Sequence, residues 1–199
     1  VRLDIERSEE RDGAIRAALP HVPMLGWSRA ALAAGLREAG RDPLEQDWLF
    51  PRGPAEAVEA WCDLADREME AGARAEDILS LRIPDRIRRV VTLRLEQAEP
   101  HRGAVRHALA LQALPWNLPS ALRSVARTAD AMWAAAGDTS ADLSWYTRRA
   151  TLAGVYGATL AFWLQDEEPG FPATRAFLDR RLADLARIQR PRRPARQAA

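Results

Sequence analysis

Ser28-Arg-Ala-Ala-Leu-Ala-Ala-Gly-Leu-Arg-Glu-Ala-Gly-Arg-Asp-Pro-Leu-Glu-Gln-Asp-Trp-Leu-Phe50 is the stretch that decides the fold. Ser28 places a side-chain oxygen ahead of an Ala/Leu run, Gly40 supplies a turn and Pro43 stands where a second helix would start, so the segment reads as helix, turn, helix. The same grammar extends in both directions. Thirteen prolines punctuate the chain, and nearly all fall between segments whose apolar residues recur at helical rather than alternating spacing. The spacing predicts helices over Asp4 to Ala18, Ser28 to Ala39, Pro43 to Leu49, Pro54 to Ala71, Asp85 to Gln97, Arg102 to Ala113, Leu118 to Ala136, Ser144 to Asp166 and Pro172 to Gln189. With a short turn near Glu76 to Leu79, that makes about ten helical elements in an all-α fold.

Composition narrows the chemistry. The chain has 199 residues, 47% apolar and 29% charged, which suits one globular domain. All 29 basic residues are Arg, and without an ε-amine there is no P-loop lysine, Schiff base or kinase-type strand lysine. Cys62 is the one cysteine, so no internal disulfide forms, and a reducing compartment is expected. Val1 to Arg11 contain no apolar run of the kind a secretory signal needs, and the expected location is cytoplasmic. Ala150 to Gln165 is shorter than the roughly 20 apolar residues of a bilayer crossing. Charge is uneven: Phe171 to Ala199 carry eight Arg against two Asp, making the C-terminus the basic end.

Catalytic patterns are missing. His101 and His107, six apart, project away from each other on a helix, and His21 is remote in sequence. No Glu-x-x-His, His-Glu-x-x-His or Gly-x-Gly-x-x-Gly occurs. Ser28 lacks the second glycine of a nucleophile elbow and reads as a helix cap. Asp63 and Asp66 share one helix face and read as solvated charges. Cys62, beside the stripe Val58, Trp61, Ala65 and Met69, reads as an inert thiol. No metal, cofactor or enzymatic activity is expected.

The helix-turn-helix outline, with Ile15, Ala18 and Leu19 before it and Leu49-Phe50 closing it, resembles the N-terminal domain of TetR-type regulators. A recognition helix must approach phosphates, yet Asp42, Glu45 and Asp47 crowd the helix that would do so. Operator binding is therefore not expected, and the module reads as degenerate; a ligand-responsive TetR-type repressor is the alternative function.

Two long stripes define the rest. Leu118, Leu122, Val125, Ala129, Met132 and Trp133 line one helix; Leu152, Val155, Tyr156, Thr159, Leu160 and Trp163 line the next. They are expected to pack together around a core or cavity. Between them, Ala136 to Arg149 form a polar turn that delivers Trp145, Tyr146 and two arginines. Adjacent helical residues point about 100° apart, so at least one of Trp145 and Tyr146 should face outward, in the composition of an interaction surface. In the last helix Phe177, Leu178, Leu182, Leu185 and Ile188 populate one face while Arg175, Arg180, Arg187 and Arg190 lie elsewhere. That pattern suits a membrane-surface helix, but on the residues alone a last core helix or a dimer helix with a solvated basic side is the favoured reading.

Gly137-Asp138-Thr139-Ser140, Asp142-Leu143-Ser144-Trp145-Tyr146-Thr147-Arg148-Arg149-Ala150 and Phe177-Leu178-Asp179-Arg180-Arg181 together resemble the ninth coenzyme Q family, lipid-binding accessory proteins of ubiquinone biosynthesis. Weaker support comes from Ala17 to Pro23, Gly26-Trp27-Ser28, Leu49-Phe50-Pro51 and Ala65-Asp66. Leu143-Ser144 stands where the family usually has Phe-Asn. The resemblance implies a TetR-like homodimer without nucleic-acid binding, holding an isoprenoid, quinone or phospholipid. It implies presentation of that lipid to the demethoxyubiquinone hydroxylase, with Leu143, Trp145, Tyr146 and Arg149 on the partner surface. It further implies peripheral membrane contact through Phe177, Leu178, Arg180, Arg181, Leu182, Leu185 and Arg187, on the inner face of a bacterial cell membrane. Periodicity gives the expected lipid lining: Leu118, Leu122, Val125, Met132 and Trp133 on one helix, and Leu152, Val155, Tyr156, Leu160 and Trp163 on the other. The chain then divides into a degenerate helix-turn-helix module (1–53), a lipid-binding bundle (54–169), a basic amphipathic helix (170–190) and a disordered tail (191–199).

Overall fold

Two serines set the first helices. Ser8 Oγ accepts from Arg11 N at 3.2 Å and starts α1 (Glu9–Ala18); Ser28 Oγ accepts from Ala31 N at 3.1 Å and starts α3 (Arg29–Glu38). The computed structural model describes residues 5–138 and 144–188, the side chains of 144, 145 and 186–188 excepted. The expected tail and most of the turn after Asp138 lie outside these residues. Ten α-helices and three 3₁₀ turns occur among the described residues, with no strand. Between α1 and α3 lies α2 (Val22–Leu25), and α4 (Glu45–Leu49) closes the N-terminal module. The spacing gives no sign of α2, because it is a single turn that holds Pro23, follows Pro20 and ends at Gly26 with φ 65°. α1 and α3 approach so closely that a Cβ on Gly35 would stand 2.5 Å from the Ala17 carbonyl.

The bundle that follows comprises α5 (Pro54–Ala75), α6 (Ile83–Ala98), α7 (Arg102–Gln112), α8 (Leu118–Ala135), α9 (Ser144–Trp163) and α10 (Pro172–Ile188). Proline occupies the first turn of α5, α6, α8 and α10, where its missing N–H costs nothing. α5 runs past the expected end at Ala71. Gly72 does not break it, since its bare Cα makes room for Leu93 of α6; an added Cβ would meet Leu93 Cδ2 at 2.9 Å. The expected turn near Glu76 to Leu79 is the 3₁₀ turn Ile78–Ser80.

α5 is the spine: α1, α6 and α8 pack along it, α9 packs on α8, and α10 lies across α9 and α6. One apolar core runs through both parts, from Ile15, Leu32 and Phe50 to Met69, Leu95, Trp163 and Leu178. Trp27 joins them, its ring 5.2 Å from that of Trp61 and its Nε1 donating to Ala104 O at 3.0 Å.

Candidate functional site

The α5 face that reads as solvated is buried. Glu59, Asp63 and Asp66 all lie inside, because partners on neighbouring elements compensate their charge. Ser120 donates to Glu59; Arg7 and Arg67 hold Asp63; Thr128 Oγ1 donates to Asp66 Oδ2 at 2.8 Å and Arg94 Nε to Asp66 Oδ1 at 3.4 Å. Burial pushes the Asp66 carboxyl up to about 6 even though the Arg94 charge and the Thr128 hydrogen bond oppose it.

These partners dictate how α8 is turned. Ser124 and Thr128 are its buried residues facing α5, so the apolar stripe expected to face inward is split. Ala129 and Met132 are buried, whereas Leu118, Leu122 and Val125 are 50%, 62% and 43% exposed. Leu118 and Leu122 therefore face outward and are not in the lining of the bundle cavity, correcting the periodicity reading.

A cavity of about 80 Å³ lies between α5, α6, α7, α8 and α9. Its walls are mainly apolar, from Trp61, Val105, Ala108, Leu109, Val125 and Leu160, and its polar corner holds Cys62, Arg94, Gln112 and Tyr156. Leu109 and Val125 are also exposed, so they mark the rim. Of the ten residues expected to line a lipid site, Val125, Tyr156 and Leu160 meet here. Met132, Leu152, Val155 and Trp163 are core residues, and Trp133 packs partly buried against that core. Trp163 is a fixture: its Nε1 donates to Glu99 Oε2 at 2.9 Å, and the Arg102 guanidinium lies 4.2 Å over its ring. Sequence reading missed Arg94 and Gln112, which carry no motif. Burial pushes the Cys62 thiol up to about 11, which disfavours the thiolate. A wider cleft of about 750 Å³ lies between α5 and α8, but Arg7, Asp63, Arg67, Glu70, Arg127 and Asp130 make its lining charged.

The two expected interaction surfaces also change. Leu143 lies outside the described residues, as does the side chain of Trp145. Tyr146 faces outward, 72% exposed. Arg149 is not held out toward a partner: it is mostly buried and pairs with Asp130 and Asp138, tying α9 to the end of α8. On α10, Leu178 is buried and Leu182 and Leu185 pack partly buried on the core, while the Phe177 ring stacks on Phe162 at 4.7 Å. The apolar face expected to meet a membrane is thus turned inward onto the bundle. Arg180 and Arg181 remain exposed on the other side, and the Arg187 side chain lies outside the described residues.

Among the described residues no group of three or more His, Cys, Asp or Glu could hold a metal ion, and no helix is long and apolar enough to cross a membrane.

Helices α8 and α9, which close the cavity, lie with α10 in the part of the sequence that matches a family model, COQ9, over residues 118–189. Over residues 118–189 the chain is thus similar to the COQ9 family. Similarity to curated COQ9 proteins extends further. The chain is 32% identical to the human mitochondrial ubiquinone biosynthesis protein COQ9 over 189 residues, covering 91% of this chain and 59% of that protein. It is 32% identical to the Xenopus tropicalis COQ9 over 85% of this chain and 56% of that protein, and 33% identical to the Schizosaccharomyces pombe protein over 83% and 65%. The chain therefore spans somewhat more than half the length of the COQ9 proteins it matches. These relatives are mitochondrial, so the expected place at the inner face of a bacterial membrane does not stand. Among solved structures, a TetR transcriptional regulator from Nitrosomonas europaea aligns with TM-score 0.72 and 23% identity, over 90% of this chain and 99% of that one. That likeness shows the fold, a TetR-like arrangement of helices, and nothing beyond it.

Within the cavity, the COQ9 segment contributes Ser124, Val125, Thr128, Tyr156 and Leu160; Trp61, Cys62, Arg94, Val105 and Gln112 come from the helices before it.

Proposed function

We propose that this chain acts in ubiquinone biosynthesis as a non-catalytic lipid-binding protein, holding a polyprenyl quinone intermediate and presenting it to the demethoxyubiquinone hydroxylase. The observation that carries this reading is the apolar-walled cavity beneath α8 and α9, whose rim at Val125 continues into the exposed Leu122 and Leu118. A polyprenyl tail resists leaving a bilayer at roughly 25 cal/mol per Å² of apolar surface. A carrier lowers that barrier with an apolar site and needs no bond-making residue. The cavity has the volume of only a few waters at about 30 Å³ each, and drug-sized ligands occupy roughly 300–1,000 Å³. In this reading the body takes the head of the lipid after its lining gives way, and the tail lies along the α8 stripe, covered by the membrane or by the second copy of a homodimer. Arg180 and Arg181 supply the electrostatic contact with an anionic surface, and Tyr146 stands on the face offered to the hydroxylase.

The repressor reading is weaker. Asp47 pairs with Arg29 and Glu45 with Arg41, which spends these two arginines on the module's own acids rather than on phosphates. Leu44 and Trp48 are exposed alongside them.

Mass spectrometry of organic extracts of the purified protein tests the reading, with a Val125→Phe, Leu160→Phe variant that fills the cavity. A quinone or isoprenoid present near stoichiometry in the wild type and lost from the folded variant is expected. Equal lipid in both would remove this cavity from the function.

A further inference from the structure

Arg94 places a full charge in the polar corner of the cavity. It is 8% exposed, and among the described residues it donates one hydrogen bond, from Nε to Asp66. No described residue accepts from Nη1 or Nη2. A guanidinium carries five N–H donors in a rigid fork, and the two terminal nitrogens of Arg94 are not among the sealed, unpartnered atoms, so they stay open to a ligand. Gln112 Nε2, in the same corner, has no partner but the Cys62 sulfur, a weak acceptor. The Tyr156 hydroxyl lines the cavity too, and burial raises its pKa while Arg94 pulls it down, which keeps it a neutral donor at ordinary pH. The one strong acceptor nearby, Asp66, already accepts from Thr128 and Arg94.

Ser124 and Thr128 also line the cavity, but Ser124 Oγ already accepts from Arg127 and Thr128 Oγ1 gives its proton to Asp66, so the strongest groups left open inside the apolar walls are the terminal donors of Arg94. The complement of this corner is a group with oxygens that accept and no proton to give. Its charge is settled as well: Asp66 balances Arg94, so an anion entering beside Arg94 would also confront the Asp66 carboxylate. A neutral acceptor meets no such repulsion.

We propose that Arg94 is the head-group anchor of the cavity, its terminal nitrogens hydrogen-bonding the ring oxygens of a neutral quinone, with Gln112 and Tyr156 completing the corner and Asp66 fixing the guanidinium. This rests on the lipid-carrier reading and gives that carrier a means of choosing its cargo by the ring.

Equilibrium dialysis of the full chain tests it with three probes: a ubiquinone bearing two isoprene units, β-farnesene as tail without ring, and dihexanoyl phosphatidate as an anionic head. Two variants are compared with the wild type. Arg94→Lys keeps the charge beside Asp66 but loses the fork; the pair Arg94→Gln, Asp66→Asn removes both charges together and so leaves no unpaired acid should the single change fail to fold. Loss of charged hydrogen bonds should weaken quinone binding about tenfold or more in the folded variants, with farnesene binding unchanged. Quinone binding unchanged in both variants overturns the anchor alone. Equal weakening of quinone and farnesene also overturns it, showing that Arg94 only supports the walls. Phosphatidate bound more tightly than quinone, and lost with Arg94, replaces the neutral ring by a phosphate. A wild type that binds neither quinone nor farnesene sinks the carrier reading itself, and the anchor with it.

Discussion

Arg11 Nη2 lies 3.1 Å from Glu56 Oε1 with both side chains buried, so a charge pair joins α1 to the start of α5. The same guanidinium donates from Nη1 to Leu49 O at 2.5 Å and lies 4.8 Å over the Phe50 ring, gathering three elements at one point. Arg11→Met should therefore cost roughly 3 kcal/mol, because it leaves the buried Glu56 carboxylate only Arg52, whose backbone N donates to it at 2.8 Å and whose guanidinium lies 3.5 Å away. Arg11→Met with Glu56→Leu should recover most of that loss. Urea denaturation of the two variants measures both, and a single-variant loss below about 1 kcal/mol would show the pair to be incidental.

Two glycines should respond in opposite directions. At Gly35 an added methyl would collide with the Ala17 carbonyl, and backbone cannot step aside, so Gly35→Ala should lose about 1–3 kcal/mol or more. Gly154, exposed within α9, has open space where a Cβ would go, and Gly154→Ala should gain up to about 1 kcal/mol through helix propensity. Thermal unfolding of both settles the contrast; equal effects would contradict the close α1 to α3 approach.

Asp66 gives a pH dependence of definite sign. Its folded-state value, about 6, lies above the ordinary carboxylate value of 3.8, so the folded protein holds this proton more tightly than the unfolded chain does. Ionised Asp66 thus costs stability at neutral pH, and the cost is relieved as pH falls from about 6 toward 4. Relative to Asp66→Asn, the wild type should lose stability as pH rises through that window. Parallel melting curves for the two proteins between pH 4.5 and 7.5 would refute this.

On α10, stability and membrane contact should separate. Leu178→Ala removes a fully buried side chain and should cost about 2–5 kcal/mol. Arg180→Glu with Arg181→Gln changes only exposed groups and should stay within about 0.5 kcal/mol of the wild type, while reducing co-sedimentation with anionic liposomes. Undiminished sedimentation would assign α10 a packing role alone.

Tyr146→Ala should weaken capture by the demethoxyubiquinone hydroxylase in a pull-down while leaving the melting temperature unchanged. Full retention of binding would move the partner surface elsewhere.

The helices were legible because their ends are local. Ser28 capping Ala31, and prolines opening α5, α6 and α10, act over one turn and need no tertiary knowledge. Which way a helix faces is another matter. Apolar spacing alone turns Leu118 and Leu122 inward, but the buried acids of α5 demand Ser120 and Thr128 in their place, and that demand comes from a chain segment about sixty residues away. Asp66 was misread for the same reason: its partners Arg94 and Thr128 are distant in sequence, and a lone Asp on a helix looks solvated. The cavity's polar corner is invisible at sequence level because Arg94 sits in Val-Thr-Leu-Arg-Leu, where one arginine among many carries no mark. The aromatic and arginine residues after Ser144 were found, yet only contact with Asp130 reveals that Arg149 is spent on holding α9.

The size of the cavity under α8 has a bearing on which cargoes compete. A site with room for one end of a molecule takes no measure of the other end. Polyprenyl quinones whose tails already cover the α8 stripe would present the same ring to Arg94 and bind alike whatever their further length, so the protein would serve long chains without measuring them. Its discrimination would act on how the ring is decorated.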